Sequence, residues 1–186
     1  MREARVASAY HTKTEMNDIE ELFTIYKAFE GGGRIYLMTG LDKFKPDFKA
    51  LLTLATLFAK ERHVVRILTN CHFKSKEYQS VFGALNSTKF NRKCPDLLVD
   101  GEFYEYEGFE KPWNRRKIKN MLAHGLIQSN RIVINNTKGA ADRIIRKAIM
   151  ARLRIGTDIR EVWLYEKGDK RLFFKDGVFI KDNGEK

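Results

Sequence analysis

The sequence predicts a mixed α/β fold, a β-sheet flanked by helices, and three observations predict it. The run 95–107, PDLLVDGEFYEYE, sets Asp100-Gly101 between two strand-like segments, among the strongest short hairpin signals. Three stretches, 46–61, 114–127 and 139–154, repeat apolar residues at helical spacing. Short β-branched and apolar runs at 34–38, 63–68 and 131–135 stand between them and suit strands. Interleaved strands and helices of this kind pack as a sheet with helices laid on it. The 186 residues, 43% hydrophobic and 32% charged, are enough to bury a core and read as one soluble domain, with or without an N-terminal extension.

Taken in order, residues 1–14 read as a poorly ordered arm. Residues 16–29 suit a helix, with Asn17 or Asp18 as cap, Glu20 and Glu21 in the favourable first turn, and Ile19, Leu22, Phe23 and Tyr26 as its stripe. Gly31-Gly32-Gly33 ends it. No strand precedes and no Lys-Ser/Thr follows, so this is a flexible break and not a phosphate loop. Pro46 and Asp47 start the clearest helix, whose Phe48, Leu51, Leu52, Ala55, Phe58 and Ala59 form a core stripe. The mixed stretch 71–94 holds a short helix near 77–85 and a basic loop at 89–93. A two-residue loop then pairs Val99 with Glu102, Leu98 with Phe103, Leu97 with Tyr104, and Asp96 with Glu105. In the next helix Ile118, Met121, Leu122 and Leu126 face inward, Arg115, Arg116 and Lys119 line a basic face, and Gly125 weakens the end. The last helix buries Ala141, Ile145, Ala148, Ile149 and Leu153 and turns Arg143, Arg146, Lys147 and Arg154 outward. Strands at 161–165 and 171–174 pair around Lys167-Gly168-Asp169, and Asp176-Gly177 leads to a last strand at 178–180.

The side-chain period of two puts Asp96, Glu105 and Glu107 at one end of one face of the hairpin. Like charges directly opposed destabilise a sheet. A bound cation or a carboxylate that stays protonated accounts for such a cluster. The net charge of +11 is uneven: residues 96–110 hold six acids and no Lys or Arg, while 111–171 hold sixteen Lys and Arg against five acids. An acidic knot followed by a basic segment suits a polyanion binder with a cation-binding centre. A basic solvated surface is the plainer alternative. Two cysteines make no disulfide framework and point to a reducing compartment. No apolar run is long enough to span a membrane, and the first residues lack the apolar core of a signal peptide.

Pro95-Asp96, eight residues, then Glu105-Tyr106-Glu107 resembles the PD-(D/E)xK nuclease signature with its last position changed. The predicted α-β-β-β-α-β order around it is similar to that superfamily's core. More narrowly, residues 62–175 resemble the C-terminal tRNase toxin domains of contact-dependent growth-inhibition (CdiA-type) proteins. The resemblance lies in PDLLVDGEFYE, the basic helix ending in Gln128-Ser129-Asn130, the strand Arg-Ile-Val-Ile, and the basic helix with its terminal hairpin. It divides the chain into an N-terminal helical and strand extension (1–45), a nuclease-like α/β domain (46–180) and a tail (181–186).

The resemblance implies hydrolysis of phosphodiester bonds in RNA, tRNA being the toxin domains' substrate, by a metal-dependent endonuclease serving as a toxin effector in the cytoplasm. It implies that Asp96 and Glu105 hold a divalent metal, Mg²⁺ by preference. It also implies an acidic immunity protein as partner. Glu107 stands where the signature Lys is expected and supplies no positive charge. Either Glu107 is a third ligand or general base, or Lys111, Arg116 or Lys119 fills the space, or the site only binds. Catalytic roles are therefore expected for Asp96, Glu105, Glu107 and Lys119. Arg115, Arg116, Lys119, Arg143, Arg146 and Lys147 are expected to contact phosphates.

Glu61 is a further candidate ligand. His124 is a candidate acid or base, though a lone helix His more often packs or faces water. Trp113, Tyr104 and Tyr106 could stack bases, but the two tyrosines point away from Asp96 and suit the core. Two other functions stay open: a metal-independent RNase of the barnase, colicin or RelE-like type using His124, and a catalytically degenerate nucleic-acid-binding module.

Overall fold

The computed structural model describes residues 20–108 and 112–181. Among the described residues nine strands form one mixed sheet whose spatial order follows the chain: β1 (Phe23–Ala28), β2 (Arg34–Met38), β3 (Val64–Ile67), β4 (Leu97–Val99), β5 (Glu102–Glu107), β6 (Arg131–Asn135), β7 (Glu161–Glu166), β8 (Asp169–Lys175) and β9 (Val178–Phe179). The helices are α1 (Phe48–Lys60) between β2 and β3, α2 (Lys76–Phe82) between β3 and β4, α3 (Arg115–Gln128) between β5 and β6, and α4 (Asp142–Arg154) between β6 and β7. β2 and β3 are parallel, as are β5, β6 and β7; the remaining neighbours are antiparallel. The mixed sheet flanked by helices is the fold class expected from the sequence. The α-β-β-β-α-β order is present as α1, β3, β4, β5, α3 and β6, with α2 inserted after β3.

The helix expected over 16–29 is corrected: residues 23–28 are strand β1, and residues 16–19 lie outside the described residues. β1 pairs antiparallel with β2, joining Phe23 to Met38 and Ala28 to Arg34. Its Thr24, Ile25 and Tyr26 are residue types that favour an extended chain, and a neighbouring strand overrides the 3.6-residue stripe read there. The three glycines form the hairpin loop between β1 and β2. Gly33 is required by packing, because a Cβ there would lie 1.8 Å from the Ala59 carbonyl oxygen of α1.

The central hairpin has the predicted register, Leu97 opposite Tyr104, Leu98 opposite Phe103, and Val99 opposite Glu102. Asp100 and Gly101 have φ of 47° and 88°, as a two-residue turn matched to sheet twist requires. Asp100 also accepts the Val64 amide at 2.8 Å and pairs with His63, which ties the turn to β3.

Alternate residues of each strand face opposite layers. Ile35, Val65, Leu97, Tyr104, Tyr106 and Val133 pack on α1. Ile132, Ile134, Val162, Leu164, Phe173 and Phe174 pack on α3 and α4, while Leu98 and Phe103 meet α2. The sheet coils so far around α1 that Glu61, just past its C-terminus, pairs with the buried Lys170 of β8. The N-terminus of α1 lies at the opposite end, where β5 and β6 finish. Among the described residues no helix is long and apolar enough to cross a membrane.

Candidate functional site

A cleft opens where β5 and β6 end and α1 begins. Asp47, Asp96, Glu105, Tyr106, Glu107, His124 and Asn135 are among its lining residues. Open α/β sheets place ligand sites outside the carboxyl ends of their strands in the same way. Strand alternation brings Glu105 and Glu107 to the face covered by α3, and the pleat gives them neighbouring positions.

Glu105 is only 8% exposed, and its Oε2 is buried without a hydrogen-bond partner. Burial, then the charges of Asp96 and Glu107, push its carboxyl up to about 10. Asp96 accepts the Tyr106 amide on Oδ2 at 3.0 Å. Burial nonetheless holds its carboxyl up at about 6, with Glu107 and Asp47 adding to the rise and Lys45 opposing it. Glu107 is also raised by burial, against the opposing hydrogen bond from His124. Its Oε1 lies 2.7 Å from His124 Nδ1.

A close helix–strand approach builds that pair. A Cβ on Gly125 would lie 2.9 Å from Glu107 Cγ and 3.2 Å from Ile132 Cδ1. Gly125 lies in the last turn of α3, where the sequence predicts that it weakens the helix, and it serves there as a contact with β5. The loss of helix propensity is the cost of seating α3 on β5.

The donor set fits a divalent cation. One ligand atom each from Glu105, Glu107 and His124 lies within 4.8 Å of the others. A buried carboxylate oxygen without a partner is expensive to keep unless a proton or a metal joins it. Asp96 adjoins the group without belonging to it, and one of its oxygens is committed to the Tyr106 amide.

Two of the cations expected here, Arg116 and Lys119, are elsewhere. Lys119 lines a groove between α3 and α4 with Arg115, Arg146, Lys147 and Arg154, and among the described residues no Lys or Arg lines the acidic cleft. Five residues separate Lys119 from His124, about 140° around the helix, so the two side chains leave α3 in different directions. Lys111 lies outside the described residues. Arg116 and Arg143 are exposed, one helical turn from the groove residues Lys119 and Lys147. The cation that acts on Asp96 is Lys45, from the loop between β2 and α1. Sequence reading missed Lys45 and Asp47 as site residues, since nothing local marks a loop some fifty residues away.

The remaining candidates have structural roles. Glu61 sits beyond the other end of α1, paired with Lys170. Tyr104 donates to Glu161 at 2.7 Å, Tyr106 accepts from Asn135 at 2.7 Å, and Trp113 packs against the α3–α4 core. Ser129 donates to the Phe103 carbonyl at 2.7 Å, and Asn130 donates to Asp158 at 2.8 Å.

No family model matches the chain, and no curated protein matches it. Among solved structures, a CdiA-CT/CdiI toxin and immunity complex from Burkholderia pseudomallei is similar with a TM-score of 0.46 and 17% identity. That similarity covers 74% of this chain and 91% of that chain.

Proposed function

We propose that the chain is a metal-dependent endonuclease acting on RNA, with tRNA as its substrate class. The observation that carries this reading is Glu105: a buried carboxylate with an unpartnered oxygen, at the centre of an acid and histidine cluster in an open cleft. Glu105 would hold the cation with Glu107, and Asp96, expected from the sequence as a ligand, would lie beside them. A divalent metal bound there supplies charge for the scissile phosphate and an activated water.

The chain's own residues do the rest. Asp96 is oriented by the Tyr106 amide and adds negative charge beside Glu105. Glu107 and His124 are hydrogen-bonded at 2.7 Å at the cleft mouth, where the His124 side chain is 68% exposed. The α3–α4 groove, lined by five basic residues, provides sequence-independent phosphate contacts. On the strength of the sequence resemblance, the proposed setting is a toxin effector acting in the cytoplasm, with an acidic immunity protein as partner.

The Glu107–His124 contact favours one second reading, a metal-independent RNase in which this pair moves the proton. The test is cleavage of total tRNA and of duplex DNA, with divalent metal and with chelator, by wild type, Asp96→Ala and Glu105→Ala. Metal-dependent cutting of tRNA lost in both variants supports the first reading. Cutting that survives chelator but not His124→Ala supports the second. RNA retention without a product refutes both and leaves a binding module.

A further inference from the structure

We infer that His124 is a nitrogen ligand of the cation held by Glu105 and Glu107, so that the centre selects a first-row transition ion such as Mn²⁺ over Mg²⁺. This rests on the proposed metal centre and concerns which cation it takes.

Three observations lead here. The position of the signature lysine is filled by Glu107, which bonds His124 at 2.7 Å, and one ligand atom each from Glu105, Glu107 and His124 lies within 4.8 Å of the others. Glu105, 8% exposed and with its Oε2 unpartnered, supplies one of those ligand atoms and lines the same cleft. The approach of His124 is built into the packing: Gly125 puts the α3 backbone against Glu107 Cγ, and Ile118, Met121, Leu122 and Leu126 anchor the helix on the sheet. The α3 backbone therefore holds the base of the His124 side chain beside the acids, while its ring is open to solvent.

An imidazole changes what such a site prefers. Mg²⁺ takes oxygen ligands in strict octahedral geometry and gives up its water reluctantly. Imidazole suits first-row transition ions better than it suits Mg²⁺, so one imidazole beside two carboxylates favours such an ion over Mg²⁺. The nitrogen that binds must be unprotonated, so cation uptake through Nδ1 replaces its hydrogen bond to Glu107.

The test uses the full chain, stripped with chelator, titrated calorimetrically with MnCl₂ and with MgCl₂, as wild type and as His124→Ala. Wild type is expected to bind one Mn²⁺ at least about tenfold more tightly than Mg²⁺. The variant is expected to lose about 10–100-fold in Mn²⁺ affinity and under about threefold in Mg²⁺ affinity. His124 is exposed, so the variant keeps its fold, and a thermal melt checks that. A measurement on wild type alone gives the same answer: electron spin-echo modulation of bound Mn²⁺ should carry imidazole nitrogen coupling. Mn²⁺ bound without that coupling, or with affinity unchanged in His124→Ala, overturns the inference, and if such protein still cuts RNA in a metal-dependent way the nuclease reading stands. Binding of neither ion overturns both.

Discussion

Glu105→Gln should make the metal-free protein more stable at neutral pH while removing its cation site. The Glu105 side chain titrates near 4.5 when the chain is unfolded and is pushed to about 10 in the folded protein. A folded-state value above the unfolded one means that the stability contributed is fully present below pH 4.5 and is lost as pH rises toward 10. Each unit is worth about 1.4 kcal/mol, so at pH 7 wild type has given up about 3 kcal/mol relative to pH 4.5 through this group. Glutamine keeps the shape, carries no charge and removes the dependence. For a chain of this size about 3 kcal/mol corresponds to a rise of roughly 6–12 °C in Tm. The assay is thermal or urea unfolding of both proteins in chelator at pH 5, 6, 7 and 8. The gap should widen with pH by about 1 kcal/mol or more per unit. Saturating divalent cation should then raise wild type alone. A variant less stable than wild type at pH 8, or a gap that does not change with pH, would refute the argument that burial holds Glu105 neutral.

Three further outcomes follow from the same geometry. Gly125→Ala gains about 1 kcal/mol of helix propensity but forces a Cβ to 2.9 Å from Glu107 Cγ, so net destabilisation of about 1–3 kcal/mol is expected by urea unfolding. Lys45→Ala removes the charge that opposes the rise at Asp96, so the pH at which Asp96 ionises should move above about 6, seen as a shifted acidic limb of the cleavage–pH profile. Lys119→Ala and Lys147→Ala should each reduce the salt slope of RNA binding by about one while leaving cation binding by calorimetry unchanged; a loss of cation affinity would show that the groove and the acidic cleft are coupled.

The architecture was legible because most elements carry their own signals. The α1 stripe from Phe48 to Ala59 and the Asp100-Gly101 turn specify a helix and a register through local physics: one buries a face, the other fits two positive φ angles. β1 carries no such signal: its apolar residues also fit a helical stripe, and Ile25 and Tyr26 are exposed in the strand. Its pairing with β2 decides it, and that is a contact at a distance.

Of the candidate site, the sequence by itself determined the three hairpin carboxylates. Alternation along β5 places Glu105 and Glu107 on one face, and the turn brings Asp96 opposite Glu105. Tertiary structure decided the rest: that α3 lies close enough at Gly125 to set His124 against Glu107, that α1 points Asp47 into the cleft while Glu61 sits at its far end, and that Lys119 faces α4 instead of the acids. The physical reason is range. Turn geometry and strand alternation act over two to ten residues and are written in the local sequence, whereas helix placement on a sheet follows from the packing of residues far apart in the chain.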